Sequence, residues 1–151
     1  KQIAKLDAEI ARLIQSDDSW RNADRIIKSV PGVGDVTSAA LIAGLPELGR
    51  FNRQAAASLV GLAPFNHDSG RKRGQRSIWG GRKNVRTALY MAALTAMRCN
   101  PYIKAFSDRL KRSGKKFKVV LTACMRKLVV ILNTMLKNNT PWNPEFAAQF
   151  S

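Results

Sequence analysis

Apolar residues Ile3, Leu6, Ile10 and Leu13 recur at spacings of three, four and three, which predicts an opening helix with a coiled-coil-like seam. Two heptads are too few to stand alone, so the seam is expected to be the end of a longer helix; the plainer alternative is a terminal helix packed on its own domain. Ser16, Asp17, Asp18 and Ser19 offer N-caps for a second helix with the apolar face Trp20, Ala23, Ile26 and Ile27, which Pro31 should stop near Val30. A third helix is expected over Val36–Ala43 with Gly44 as its cap, and a short fourth over Arg53–Val60. From Pro64 to Gly81 the periodicity vanishes and four glycines intervene, predicting a long loop or an irregular hairpin. Helical spacing returns over Arg82–Arg98, Pro101–Arg112 and Lys116–Lys137, with breaks at Asn100-Pro101 and Ser113-Gly114. No strand alternation persists. The expected fold is therefore all-α: a small multi-helix domain with a helix-hairpin-helix element, a long basic loop and an N-terminal coiled-coil-like helix. Residues 1–16 would end that helix, 17–142 would form the domain, and 143–151 would be a tail with no assigned role.

Charge changes the picture more than composition does. With 151 residues and 45% apolar content the chain can build one core, but 26 basic residues against 10 acidic ones leave a formal charge of +16. Such a charge calls for a polyanion, either nucleic acid or an anionic membrane. Arg126 and Lys127 interrupt the longest apolar stretch, Val119 to Leu136, below the roughly 18 residues a span requires, so no membrane partner is expected. The opening segment carries Asp7 and Glu9 and lacks the apolar core of a secretory signal, which points to the cytoplasm unless a targeting segment once preceded it. Cys99 and Cys124 have no zinc-ligand spacing and should be reduced, core-filling thiols.

Pro31, Gly32, Val33 and Gly34 join two short amphipathic helices, as in a helix-hairpin-helix element. Glycines let backbone approach a ligand, and the next helix offers free amides and the positive end of its dipole, so a nucleic-acid phosphate would suit Gly32 and Gly34, with Lys28 adding charge. A plain helix-helix turn is the competing reading. Further on, Arg71, Lys72, Arg73, Arg76, Arg82, Lys83 and Arg86 run without an acid among them and are anchored by helices on both sides. Such a run is either a solvated segment or a nucleic-acid patch, and Ile78 and Trp79 within it favour the patch. Trp79 either stacks on a base or serves the core. Just upstream stand His67, Asp68, Ser69 and Gly70. A serine hydroxyl attacking a phosphodiester needs a base, for which His67 is the local candidate, and cations at phosphorus, which the tract supplies. The plain reading of the same residues is a turn capped by Asp68.

Taken in order, Val30-Pro31-Gly32-Val33-Gly34, Gly61-Leu62-Ala63-Pro64, Asp68-Ser69-Gly70 and Arg86-Thr87-Ala88-Leu89-Tyr90-Met91-Ala92-Ala93-Leu94 resemble the transposases of the insertion-sequence one-ten family and the related Piv invertases. Asn100-Pro101, Lys118-Val119-Val120-Leu121 and Thr140-Pro141-Trp142 continue the resemblance. It implies that Ser69 is a nucleophile forming a transient phosphoserine link to DNA. It also implies an N-terminal RuvC-like domain, not among these residues, whose acidic groups bind a divalent metal such as Mg, so no cofactor is expected in this segment. Implied partners are DNA, a structured guide RNA and further copies of the protein, the Ile3–Leu13 seam being one place for them to meet. The implied location is a bacterial or archaeal cytoplasm. Where many members carry an Ile-Ser-Lys-like motif, this chain reads Ser77-Ile78-Trp79, which makes Ser77 a second-ranked nucleophile. Two other readings stand beside this one: a non-catalytic helix-hairpin-helix module that only grips nucleic-acid backbone, and a basic adaptor for acidic proteins, to which the stretch Arg98–Lys118 would contribute.

Overall fold

The computed structural model describes residues 1–62, 68–69, 72–73 and 82–148. Over these residues the fold is all-α. The helices are α1 (Gln2–Ser16), α2 (Asp18–Lys28), α3 (Asp35–Gly44), α4 (Arg53–Leu59), α5 (Lys83–Cys99), α6 (Pro101–Arg112), α7 (Phe117–Asn138) and the single turn α8 (Pro144–Ala147). Within the expected loop, β1 (Asp68–Ser69) and β2 (Lys72–Arg73) form an antiparallel ladder with Asp68 opposite Arg73 and Ser69 opposite Lys72.

The boundaries follow local chemistry. Asp17 accepts the Trp20 amide at 2.9 Å and Asn52 the Ala55 amide at 2.8 Å, each satisfying a donor that the first helical turn leaves without an internal partner. Asn100 caps α6 by accepting from the Tyr102 and Ile103 amides, with Pro101 at the first helical position. At the far end of α7, Asn139 turns left-handed (φ 53°) and the Thr140 amide reaches back to the Met135 carbonyl at 3.0 Å. Gly44 departs from expectation: it is the last residue of α3 and Leu45 is the cap. The lack of a side chain at Gly44 instead makes room for Val85, whose Cγ2 would lie 2.6 Å from any Cβ there.

α7 is the axis of the core, with Leu128, Val129, Ile131, Leu132 and Met135 fully buried, each worth about 2 kcal/mol of transfer free energy. α5, which buries Ala88, Ala92, Ala93 and Ala96, packs against both α7 and α3, and α2, α4 and α6 close the remaining sides of α7. By length and composition alone α7 could cross a membrane, contrary to expectation. Most of it is nevertheless covered by neighbouring helices, as befits the central helix of a bundle. Two further expectations need correction. Trp20 is 45% exposed instead of buried on the α2 face. Cys99 is exposed at the end of α5, whereas Cys124 does fill the core, where burial pushes its thiol up to about 11. The α1 seam is no correction: α1 buries Ile14, near its C-terminal end, and leaves Ile3, Leu6, Ile10 and Leu13 exposed.

Candidate nucleic-acid interface

The turn between α2 and α3 is held from three directions. Val30 and Val33 anchor it in the core. Asn100 Nδ2 donates to the Pro31 carbonyl at 3.1 Å, and the Trp142 amide donates to Ser29 Oγ at 2.8 Å. Gly32 sits at φ 102°, and a Cβ there would come within 2.7 Å of Ala96 Cα on α5. Its glycine is thus required by packing. Gly34 differs: it is the exposed N-cap of α3, with φ −111° and nothing within 4 Å of a would-be Cβ.

Lys28, at the end of α2, lies between two carboxylates. Its Nζ is 2.9 Å from Asp35 Oδ1 and 3.0 Å from Asp24 Oδ2. Asp24 is buried and also accepts from Ser38 Oγ at 2.6 Å. Donating to Asp35, then to Asp24, raises the Lys28 ammonium above its ordinary value of 10.5. Asp35 also sets a negative charge in the first turn of α3, where the dipole favours it. A phosphate arriving at this helix start would therefore compete with Asp35 for Lys28.

The two ends of the basic segment are both tied down. Arg126 donates from Nε and Nη2 to the Leu62 carbonyl at 3.1 and 2.7 Å. Arg82 forms a two-pronged pair with Glu47 at 2.7 and 2.8 Å and also donates to the Gly44 carbonyl at 2.7 Å. Hydrogen bonding from Arg82 holds the Glu47 carboxyl down to about 2. Lys83 is exposed and Arg86 half-buried on the first turn of α5. Ser69, Lys72 and Arg73 are described only through the backbone ladder, while His67, Arg71, Arg76, Ser77 and Trp79 lie outside the described residues. Among the described residues no three His, Cys, Asp or Glu side chains come together as a metal site would require.

Residues 24–108, more than half of the chain, match the Transposase IS116/IS110/IS902 family. The chain belongs to this family. It is 30% identical over 145 residues to a pilin gene-inverting protein of Moraxella bovis, a match covering 93% of the chain and 45% of that relative. It is also 28% identical over 142 residues to a 43.6 kDa protein of insertion element IS110 in Streptomyces coelicolor, covering 93% of the chain and 34% of the relative. A 42 kDa protein of insertion element IS900 in Mycobacterium paratuberculosis is 30% identical over 152 residues, with 95% and 38% covered. The chain spans less than half the length of these curated relatives.

Several stretches that stand out in the sequence converge on one place. Pro31-Gly32, Asn100-Pro101 and Trp142 are far apart in sequence, yet hydrogen bonds or close packing join each of them to the α2–α3 turn or to the helix beneath it. Sequence reasoning assigned that turn to ligand contact and missed its packing, because the partner Ala96 carries no mark of its own. It also missed a group of cations between α4, α6 and α7: Arg109 and Lys127 at the ring of Phe106, with Arg53 and Arg126 lining the same groove. The signal was present in the adjacent pair Arg126-Lys127, set inside an otherwise apolar helix.

Proposed function

We propose that this chain is the DNA-binding, serine-bearing part of a transposase or site-specific recombinase. The observation that carries the reading is the ordered match to the family across nearly the whole chain, including a relative named for inverting a gene. Ser69 is its nucleophile. The Ser69 Oγ–P bond forms as the bond from phosphorus to one deoxyribose oxygen breaks; the serine proton passes to a base, for which His67 is the local candidate, and the departing oxygen takes up a proton. The phosphoserine link keeps the phosphodiester's reactivity, so a hydroxyl of another strand can reverse the step and reseal the DNA. The backbone register, with Ser69 opposite Lys72 and Asp68 opposite Arg73, supports this by setting basic positions across the ladder from the serine. Arg71, Lys72, Arg73, Arg76, Lys83 and Arg86 are the cations that grip and neutralise the backbone.

α2, its turn and α3 act as a helix-hairpin-helix element whose exposed Gly34 side faces the phosphates, while Gly32 only holds the turn together. A structured guide RNA is a partner of the same basic surfaces, and the exposed seam of α1 joins copies of the longer protein in the bacterial cytoplasm. The family's chemistry draws on a divalent metal, but the described acidic residues do not fit one, and no step here depends on it.

The test uses the full-length protein with DNA, metal and guide RNA, denatured after reaction and searched by mass spectrometry for nucleotide on serine. An adduct at Ser69 that vanishes in Ser69→Ala is the expected result. Recombination without an adduct at any serine would leave a binding domain only.

A further inference from the structure

Between α4, α6 and α7 lies an open groove of about 600 Å³ with an apolar floor of Ala57, Ala123 and Val130. Arg53, Arg126 and Lys127 line it, and among the described lining residues there is no carboxylate. Lys127 Nζ stands 4.8 Å from the centre of the Phe106 ring, and the Arg109 guanidinium 5.3 Å from the same ring. Burial, then Arg53 and Arg109, push the Lys127 ammonium below its ordinary value, the reverse of what a neighbouring acid would do. Burial likewise lowers Arg126. Cations crowded at the edge of an apolar floor are held there against their mutual repulsion, and an anion of matching shape relieves it.

We propose that this groove holds one or two unstacked nucleotides of a single-stranded nucleic acid, with phosphates on Arg109 and Lys127 beside Phe106 and sugar or base on the apolar floor. The inference rests on the nucleic-acid reading above and adds a site away from Ser69 and the α2–α3 turn. Single strand is favoured over duplex because a duplex keeps its bases stacked inside and shows phosphates on a convex face, which a flat basic surface serves and an apolar floor does not. DNA and RNA share the chemistry that the groove recognises.

The experiment uses the full-length protein and short oligonucleotides carrying 5-iodouracil, as single-stranded DNA, single-stranded RNA and duplex DNA. Irradiation should link a single strand to the peptide containing Phe106, and whichever of DNA or RNA links identifies the strand. In anisotropy titrations over a salt series, Arg109→Gln/Lys127→Gln should make the slope of log Kd against log salt shallower by about 1.4, at about 0.7 for each lost single-strand phosphate contact. Lys5→Gln/Arg12→Gln removes the same charge from exposed positions on α1 and should leave the slope unchanged. Circular dichroism at the same temperature checks that the variants are folded. A change no larger than that of the control pair, an equal change for duplex, or crosslinks confined to other peptides would overturn the groove. If the groove fails while the Ser69 adduct still forms, the recombinase reading stands; a wild-type protein that binds no oligonucleotide would sink both.

Discussion

Two lysines on this domain meet opposite surroundings. Lys28 bridges Asp24 and Asp35 at the α2–α3 turn, and its ammonium is held above its ordinary value; Lys127 sits against Phe106 among other cations and is pushed below. The first surface is internally complete, with a buried acid, a matching base, a backbone locked by Asn100 and a glycine required by Ala96. The groove has its charges gathered on one sign. Basic residues counted along the sequence look alike, but only a cation whose field is not already answered by the protein has much to gain from a polyanion. That difference ranks surfaces that net charge alone cannot.

The largest effect expected is at the completed surface. Gly32→Ala forces a side chain into left-handed backbone and against α5, costing about 3 kcal/mol when the strain of about 1–2 is added to overpacking of similar size. Thermal melting measures it, and a loss under about 1 kcal/mol would mean that the turn is loosely held and open to a ligand. Next comes a matched pair of neutralisations. Lys28→Gln leaves Asp24 buried with only Ser38 to serve it and should cost about 2 kcal/mol. Lys127→Gln gives up cation–π attraction but relieves burial and repulsion, for a net change within about 0.5 kcal/mol. Equal losses in urea unfolding would erase the contrast.

The smallest effect is seen in alkaline titration. Lys28, raised in the folded state, gives stability that is present below 10.5 and fades as pH climbs through its higher folded value. Lys127, lowered, subtracts stability while it is charged, and that penalty lifts as pH rises from its folded value towards 10.5. NMR titration of lysine ε-carbons should therefore find Lys127 losing its proton before Lys28, and the reverse order would contradict both environments.

Helix positions were legible because they depend on neighbours in sequence. Pro31, Asn100-Pro101 and Ser113-Gly114 break the chain where the spacing says they should, and Asp17 caps as its residue type predicts. What escaped is what depends on distant partners. Gly44 reads as a cap until Val85 is seen beside it, and nothing near Gly32 in the sequence points to Ala96, which packs below it. The groove needs Arg53, Phe106 and Lys127 from three helices, and only Arg126-Lys127, polar inside an apolar run, hinted at it. Ser69 was singled out by the family resemblance; its chemistry alone is that of an ordinary turn serine.

The two arginine anchors at Leu62 and at Glu47 have an evolutionary consequence. They fix where the intervening segment leaves and re-enters the bundle. Selection can therefore vary the core while the mounting points of the Ser69 stretch stay in place, as long as Arg126 and the Glu47–Arg82 pair are kept.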